Sequence, residues 1–321
     1  MKPAKPATPI AGVNTRTRRA SCCPKWKAIS AEPMRRLLQR LPRATHPLLV
    51  VLMGYQLLMA LLIILFYPKI VMGGWWLLFH LAVIALLLGP DGKWGRMLKP
   101  WSPIAILPMN FTELHYLVYS VHPRDFDVML LQWDYTLFGT HPTLWLEQFT
   151  WPLLTEVLQW IYAAFYFFPI ILAARLFLKG KMEAFYFVAF QIVYGFYLSY
   201  MGYFVIPAVG PRFILTDIQT IGLHGVWLRE SIDHLLSTLE QRQHDAFPSG
   251  HTMITVMTLW YGWKFDKQYF YVAALPGLLL IYSTVYLRYH YFVDVAAGLA
   301  LAVVAVISGQ KLYNYLSGRK T

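Results

Sequence analysis

Cysteine is nearly missing: in 321 residues only the adjacent pair Cys22 and Cys23 occurs. That excludes a disulfide-stapled secreted domain and argues against thiol redox chemistry. In a loose tail the pair reads as unmodified thiols, with acylation as the alternative. Charge is also scarce. Only 14% of residues are Asp, Glu, Lys or Arg, while 57% are hydrophobic and 17% aromatic, which excludes a disordered chain and an ordinary soluble one. Acids are the scarcer sign, 16 against 28 Lys and Arg, leaving a net charge of +12. Position excludes the nucleic-acid reading of that charge. Residues 1–45 hold eleven Lys/Arg and the single acid Glu32, so a basic, Pro-rich, disordered tail carries the excess and the remainder is nearly neutral. A cleaved organelle-targeting segment is the alternative for that tail; it has no apolar secretory core. The chain reads as an integral membrane protein.

Seven stretches free of charged residues approach the roughly 20 residues needed to cross a bilayer. They run over about Leu48–Tyr67, Val71–Gly89, Val157–Ala174, Ala184–Pro211, Ala246–Trp263, Gln268–Leu287 and Val295–Gln310. Seven crossings would put two basic ends on opposite sides, against the positive-inside rule. An eighth, imperfect crossing over 101–120 restores the balance, although Pro103, Pro108, Asn110, Glu113 and His115 interrupt it and demand protein or water around it. With eight, the cytoplasmic segments collect 21 Lys/Arg and the far side six, with Arg175 left inside a span. The expected fold is all-α, a polytopic bundle of 7–8 crossings. Its regions are a tail (1–45), N-terminal spans (46–120), an interfacial region (121–152) and a core (153–316). Within the third, Phe126–Phe138 reads either as an amphipathic interfacial helix or as a loop with one short helix.

Three clusters fall at the far-side ends of the last four spans: Pro207-Ala-Val-Gly-Pro-Arg212, Phe247-Pro-Ser-Gly-His-Thr252 and Arg288-Tyr-His-Tyr-Phe-Val-Asp294. In the second, Ser249 suits a helix N-cap, whose free N–H groups and dipole attract an anion. Gly250 admits a bulky oxyanion, and His251 can exchange a proton near neutral pH. A capped helix with an incidental histidine is the plainer reading. In the third, His290 and Asp294 are four apart, so on a helix they share a face and the carboxylate orients the imidazole as a nucleophile. A His–Asp pair that merely ties helices together is the alternative; a metal site built from His251, His290 and Asp294 has no close-set ligand motif behind it. Arg212 follows the rigid Gly210-Pro211 turn and offers a fixed cationic fork, or else snorkels at the interface.

In this order and spacing the clusters resemble the signature of the type 2 phosphatidic acid phosphatase superfamily, over about Leu153 to Ile307. They look closer to its branch that includes fungal inositol phosphorylceramide synthase, with Gly-Pro-Arg, Phe-Pro-Ser-x-His and Tyr-x-x-His-Tyr-Phe-x-Asp elements. The resemblance implies a six-helix phosphatase-like core and two-step phosphoryl transfer without metal or other cofactor. His290 attacks phosphorus, Asp294 orients it, and His251 protonates the leaving alkoxide and later activates the acceptor. Arg212, Ser249 and the Gly250 N–H hold the phosphoryl oxygens. It further implies a lipid phosphate donor, water or an alcohol as acceptor, and a site facing away from the cytoplasm, across the inner membrane if the host is a bacterium. Two cations of the broader superfamily are replaced here by Val205 and Thr284. Either Arg288, Arg242 or His244 stands in for them, or the substrate carries less charge, as a phosphodiester does. A membrane transporter could use the same ionisable groups, with Glu113 and His115, at membrane depth, but no inverted repeat is visible. A non-catalytic scaffold would have no need to gather His, Asp and Arg.

Overall fold

The computed structural model of the protein describes Met1 and residues 47–90, 92–240 and 244–318. The rest of the basic tail, with Cys22 and Cys23, and Arg242 lie outside the described residues. The described chain is helical: α1 (Pro47–Leu65), α2 (Gly73–Leu88), α3 (Pro103–Val121), α4 (Asp127–Phe138), α5 (Pro152–Ala163), α6 (Phe167–Leu178), α7 (Met182–Val205), α8 (Arg229–Glu240), α9 (Gly250–Phe265), α10 (Lys267–Tyr286) and α11 (Phe292–Leu316), with short helical turns between. Among the described residues, five helical stretches are long and apolar enough to cross a membrane: α1, α5 with α6, α7, α10 and α11; α2 is apolar but shorter. This is a helical membrane bundle. Its helices are apolar on the outside as well as the inside, Leu57, Leu78, Leu275 and Val303 all being exposed, as lipid rather than water requires.

α7 lies at the centre, packed against α1, α3, α6, α9 and α11. α9 packs on α10 and α11, while α4 and α8 lie outside this group, against α11 and α5 respectively. Small residues set the closest approach. A Cβ on Gly298 of α11 would stand 2.5 Å from the Ser249 carbonyl oxygen and 3.1 Å from Thr252 Cβ, so only glycine lets α11 meet the start of α9 at this distance.

The segment 101–120 was expected as a broken crossing, and instead forms the continuous helix α3. Pro103 sits in the first turn, where its missing N–H costs nothing. Asn110 and one oxygen of Glu113 are paired by neighbours, whereas Glu113 Oε2 and His115 Nδ1 are buried without a hydrogen-bond partner among the described residues. His80 Nδ1 lies 2.7 Å from Gln56 Oε1 and its Nε2 lies 2.7 Å from Glu113 Oε1; Gln56 Nε2 donates to Asn110 Oδ1 at 2.9 Å, which also accepts from Tyr197 at 3.2 Å. Gln56, His80, Asn110 and Glu113 are all fully buried. At membrane depth such groups are tolerated only when paired, and this network ties α1, α2 and α3 to α7.

The two ends of the bundle differ in charge. At one end Arg175 Nε and Lys179 Nζ each reach Asp266 at 2.8 Å, and Lys181 donates to the Phe265 carbonyl. Arg175 therefore sits in the last turn of α6 among basic neighbours, and is no longer an isolated charge in a span. The three sequence clusters lie at the opposite end.

Candidate active site

Backbone hydrogen bonds join the three clusters, one of them through Ala246, the residue just before the second. Ala246 N–H donates to the Ala208 carbonyl (2.9 Å), Arg212 N–H to the Arg288 carbonyl (2.9 Å) and Ser249 N–H to the Asp294 carbonyl (3.1 Å). Gly210 permits this closeness: its φ is +93°, and a Cβ there would meet the Tyr289 carbonyl oxygen at 2.6 Å.

α4 braces the same loops, which makes it more than an interfacial helix. Asp127 accepts from the N–H groups of Val209 (3.0 Å) and Gly210 (2.9 Å) and from the Tyr291 hydroxyl (2.7 Å). Asp134 accepts from the N–H groups of Phe292 and Val293, both at 2.9 Å, the otherwise unpaired donors at the start of α11. Both carboxylates are buried. Asp127→Ala would leave two N–H donors and a hydroxyl unsatisfied at roughly 1–3 kcal/mol each. The expected result is a fall in thermal midpoint in detergent and loss of most activity, with Asp127→Asn intermediate in both.

Ser249 is the N-cap of α9, its hydroxyl accepting from Thr252 N–H at 3.3 Å. Helix geometry then leaves the N–H groups of Gly250 and His251 unused by the helix, pointing out of its N-terminus. Gly250 is hemmed in; a Cβ there would meet the Tyr203 hydroxyl at 2.7 Å and Ser199 Oγ at 3.0 Å.

His290 lies in the loop before α11, so it and Asp294 do not share a helical face as the spacing suggested; they meet across the helix start. His290 Nδ1 is 2.8 Å from the Ala246 carbonyl oxygen and 3.4 Å from Asp294 Oδ2. Asp294 Oδ2 also accepts from Tyr291 N–H at 2.9 Å. Carbonyl and carboxylate oxygens can only accept, so Nδ1 carries the hydrogen and the lone pair of the neutral ring is on Nε2. Burial depresses the His290 pKa to about 4, against a smaller upward pull from Asp245 and the Ala246 carbonyl. The ring is therefore neutral at ordinary pH. His251 stands edge-on to it, ring centroids 5.7 Å apart, held between Tyr162 (4.6 Å, stacked) and Phe165 (4.3 Å). Its Nε2 is buried without a hydrogen-bond partner among the described residues.

Arg212 is reached from His251 through stacked rings: Tyr162 lies 4.1 Å from Tyr289, and the Arg212 guanidinium lies 4.9 Å from the Tyr289 ring centre. Arg212 also donates to Ser237 Oγ of α8 at 2.8 Å. The positions lacking the superfamily's cations supply none here. Val205 is 67% exposed, and the Thr284 hydroxyl bonds the Ile281 carbonyl of its own helix. Arg288, in a left-handed conformation (φ +66°), is committed to Glu147 at 2.8 Å, Gln219 and the Ile221 carbonyl. His244 Nε2 is 3.2 Å from Asp125 Oδ1, and its ring stacks on Tyr119.

Sequence reasoning missed three contributors. Asp245 interacts electrostatically with both His290 and Arg212, and burial pushes its carboxyl up to about 6. Its adjacency to the Phe-Pro-Ser-Gly-His run was the available signal. Tyr162 and Tyr289, the stacked pair beside His251, left none, since aromatic residues are everywhere in this chain. The Asp127/Asp134 brace was visible only as acids in an amphipathic pattern. Among the described residues no group of three or more His, Cys, Asp or Glu is placed to hold a metal ion.

No solved structure matches the chain. A PA-phosphatase related-family protein of Dictyostelium discoideum is 27% identical over 108 residues, 33% of this chain and 20% of the relative; the matched stretch thus spans about a fifth of that protein. The family model described as PAP2 superfamily matches residues 129–308. That is more than half of the chain, beginning inside α4 and ending within α11, and it takes in all three clusters. The chain belongs to the PAP2 superfamily.

Proposed function

We propose that the protein is a lipid phosphatase or phosphotransferase that works through a phosphohistidine on His290. The observation that carries this reading is the fixed tautomer of His290, its unshared pair on Nε2 and its ring beside the unpaired Nε2 of His251. In the first step His290 Nε2 forms the bond to phosphorus as the bond to the ester oxygen breaks, and His251 gives that oxygen its proton. In the second, His251 takes a proton from water or an alcohol, whose oxygen attacks phosphorus and restores neutral His290. Asp294 and the Ala246 carbonyl support the Nδ1–H that becomes more acidic in the phosphohistidine. Ser249, the Gly250 N–H and Arg212 stabilise the equatorial oxygens, as preorganised donors do.

The charge around the site supports the transferase-like branch. Arg288 is neutralised by Glu147, Val205 and Thr284 offer no cation, and the Asp245 carboxyl stands beside His290. A phosphodiester with one negative charge suits this better than a monoester with two, so transfer of a phospho-head group to an alcohol, as in inositol phosphorylceramide synthase, is favoured over plain hydrolysis. The basic end formed by Arg175, Lys179, Lys181, Lys264 and Lys267 supports a cytoplasmic placement of that end and an extracytoplasmic site.

The test is product analysis. Purified protein in detergent, with chelator present, is expected to release or transfer the head group of a phosphodiester lipid faster than it releases phosphate from phosphatidic acid, and vanadate is expected to inhibit. Activity that vanishes with chelator and returns with a divalent metal would overturn the mechanism.

A further inference from the structure

We infer that an apolar groove between α3, α6 and α7 holds one hydrocarbon chain of the lipid whose phosphate reacts at His290. This rests on the proposed function, and adds where the lipid body lies. The cavity measures about 280 Å³, and its floor is a stripe of α7 that includes Phe185, Ala189, Ile192, Phe196 and Tyr200. Steps of three and four residues keep that stripe on one helix face. From Phe185 to Tyr200 it runs about 22 Å at 1.5 Å per residue, longer than the ~15 Å depth of hydrocarbon in one leaflet. A chain lying in it is parallel to the bilayer normal, as lipid tails are.

The upper end of the groove meets the catalytic histidines. The helix formed by α5 and α6 is interrupted by a turn at Ala164–Tyr166, which sends consecutive side chains to two different places. Tyr166 lines the groove, whereas Phe165 packs 4.3 Å from His251 and 6.1 Å from Phe196. One aromatic ring therefore separates the groove from the proton-transfer histidine. Tyr200 lies within a turn of Ser199 and Tyr203, the residues that border Gly250. A head group at the start of α9 thus has its tail directed down this groove.

The third wall is α3 and the residues before it, with Pro103 and Pro108 among the lining side chains and Ile104, 46% exposed, at the lip. That helix lies outside residues 129–308. The N-terminal helices accordingly complete a lipid site, and the buried Gln56–His80–Asn110–Glu113 network acts as the fastening that holds α3 in place against α7.

Ala189→Trp fills the middle of the groove from α7. Turnover of a long-chain lipid phosphodiester is expected to drop at least tenfold through KM, while turnover of bis(nitrophenyl) phosphate, which has no tail, stays within twofold. Leu275→Trp, on the exposed face of α10, is the control and leaves both unchanged. In parallel, a phosphatidic acid carrying a diazirine on its acyl chain is expected to label peptides spanning 185–200 in the wild type, and much less in Ala189→Trp. This labelling needs no turnover, so it decides the groove even if no phosphate ester is cleaved, an outcome that would defeat the proposed function alone. Equal loss of both substrates in a folded Ala189→Trp protein overturns the inference. So does labelling confined to the outer faces of α10 and α11, or cross-linking of α3 in one copy to α7 in another.

Discussion

His290→Ala is expected to lose turnover with every substrate, by about 10⁴-fold or more, as removal of a nucleophile does when no neighbour can replace it. Loss should be independent of leaving group, because no phosphoenzyme forms. Acid-quenched wild-type protein incubated with a ³²P-labelled substrate should carry acid-labile, base-stable phosphate, and the variant none. The pH dependence follows from the same residue. Burial holds the His290 pKa near 4, so the nucleophilic neutral form is fully present above that value and disappears as pH falls through it. The acid limb of kcat/KM set by this group is expected near 4, well below an ordinary histidine at about 6.5. Asp245, whose carboxyl burial raises to about 6, is itself protonated by the time pH falls to 4, so Asp245→Asn should leave that limb nearly where it is. Substantial activity in His290→Ala, or an acid limb at 6.5, would count against this assignment.

The helices were legible because apolar runs of about 20 residues have one stable fate in a bilayer, and the three clusters were legible because each ends or opens such a run. What the residues could not disclose is how the clusters are joined. The bonds Ala246 to Ala208, Arg212 to Arg288 and Ser249 to Asp294 are made by backbone atoms, on which side-chain identity has little bearing. The same holds for His290. A spacing of four suggested a helix-face pair with Asp294, but α11 starts only at Phe292 because Asp134 caps its first N–H groups, and the shortest contact of His290 Nδ1 is a carbonyl 44 positions away. Arg288 shows the reverse error. By sequence it sits two residues from the nucleophile and is a natural phosphate ligand, yet Glu147, an acid in the interfacial region 121–152 that drew no reading of its own, takes its charge. The polar residues of 101–120 were expected to need protein or water around them, and Asn110 and Glu113 are buried against protein. Their partners on α1 and α2, Gln56 and His80, were single polar positions in otherwise apolar runs, the kind of exception that marks a buried network at membrane depth.

His251→Ala should separate the two halves of the reaction. Its place beside His290, with Nε2 unpaired, suits proton delivery to the leaving oxygen, an effect worth about 10²–10⁴-fold. For an alkyl ester, whose alkoxide is a poor leaving group, the variant is expected to lose that much in kcat. Nitrophenolate departs without a proton, so the first step on a nitrophenyl ester should be nearly normal. The second step still needs His251 as base to activate water or alcohol, and it becomes limiting. Rapid mixing should therefore show a burst of nitrophenol equal to the enzyme concentration, followed by slow turnover, with phosphoenzyme accumulating where the wild type shows little. Removing the ring also empties the space between Tyr162 and Phe165, so His251→Gln, which keeps more of the volume, serves as the second variant and should behave alike. Equal losses on alkyl and nitrophenyl esters with no burst in either variant, at an unchanged thermal midpoint, would remove His251 from proton transfer and leave it a packing residue.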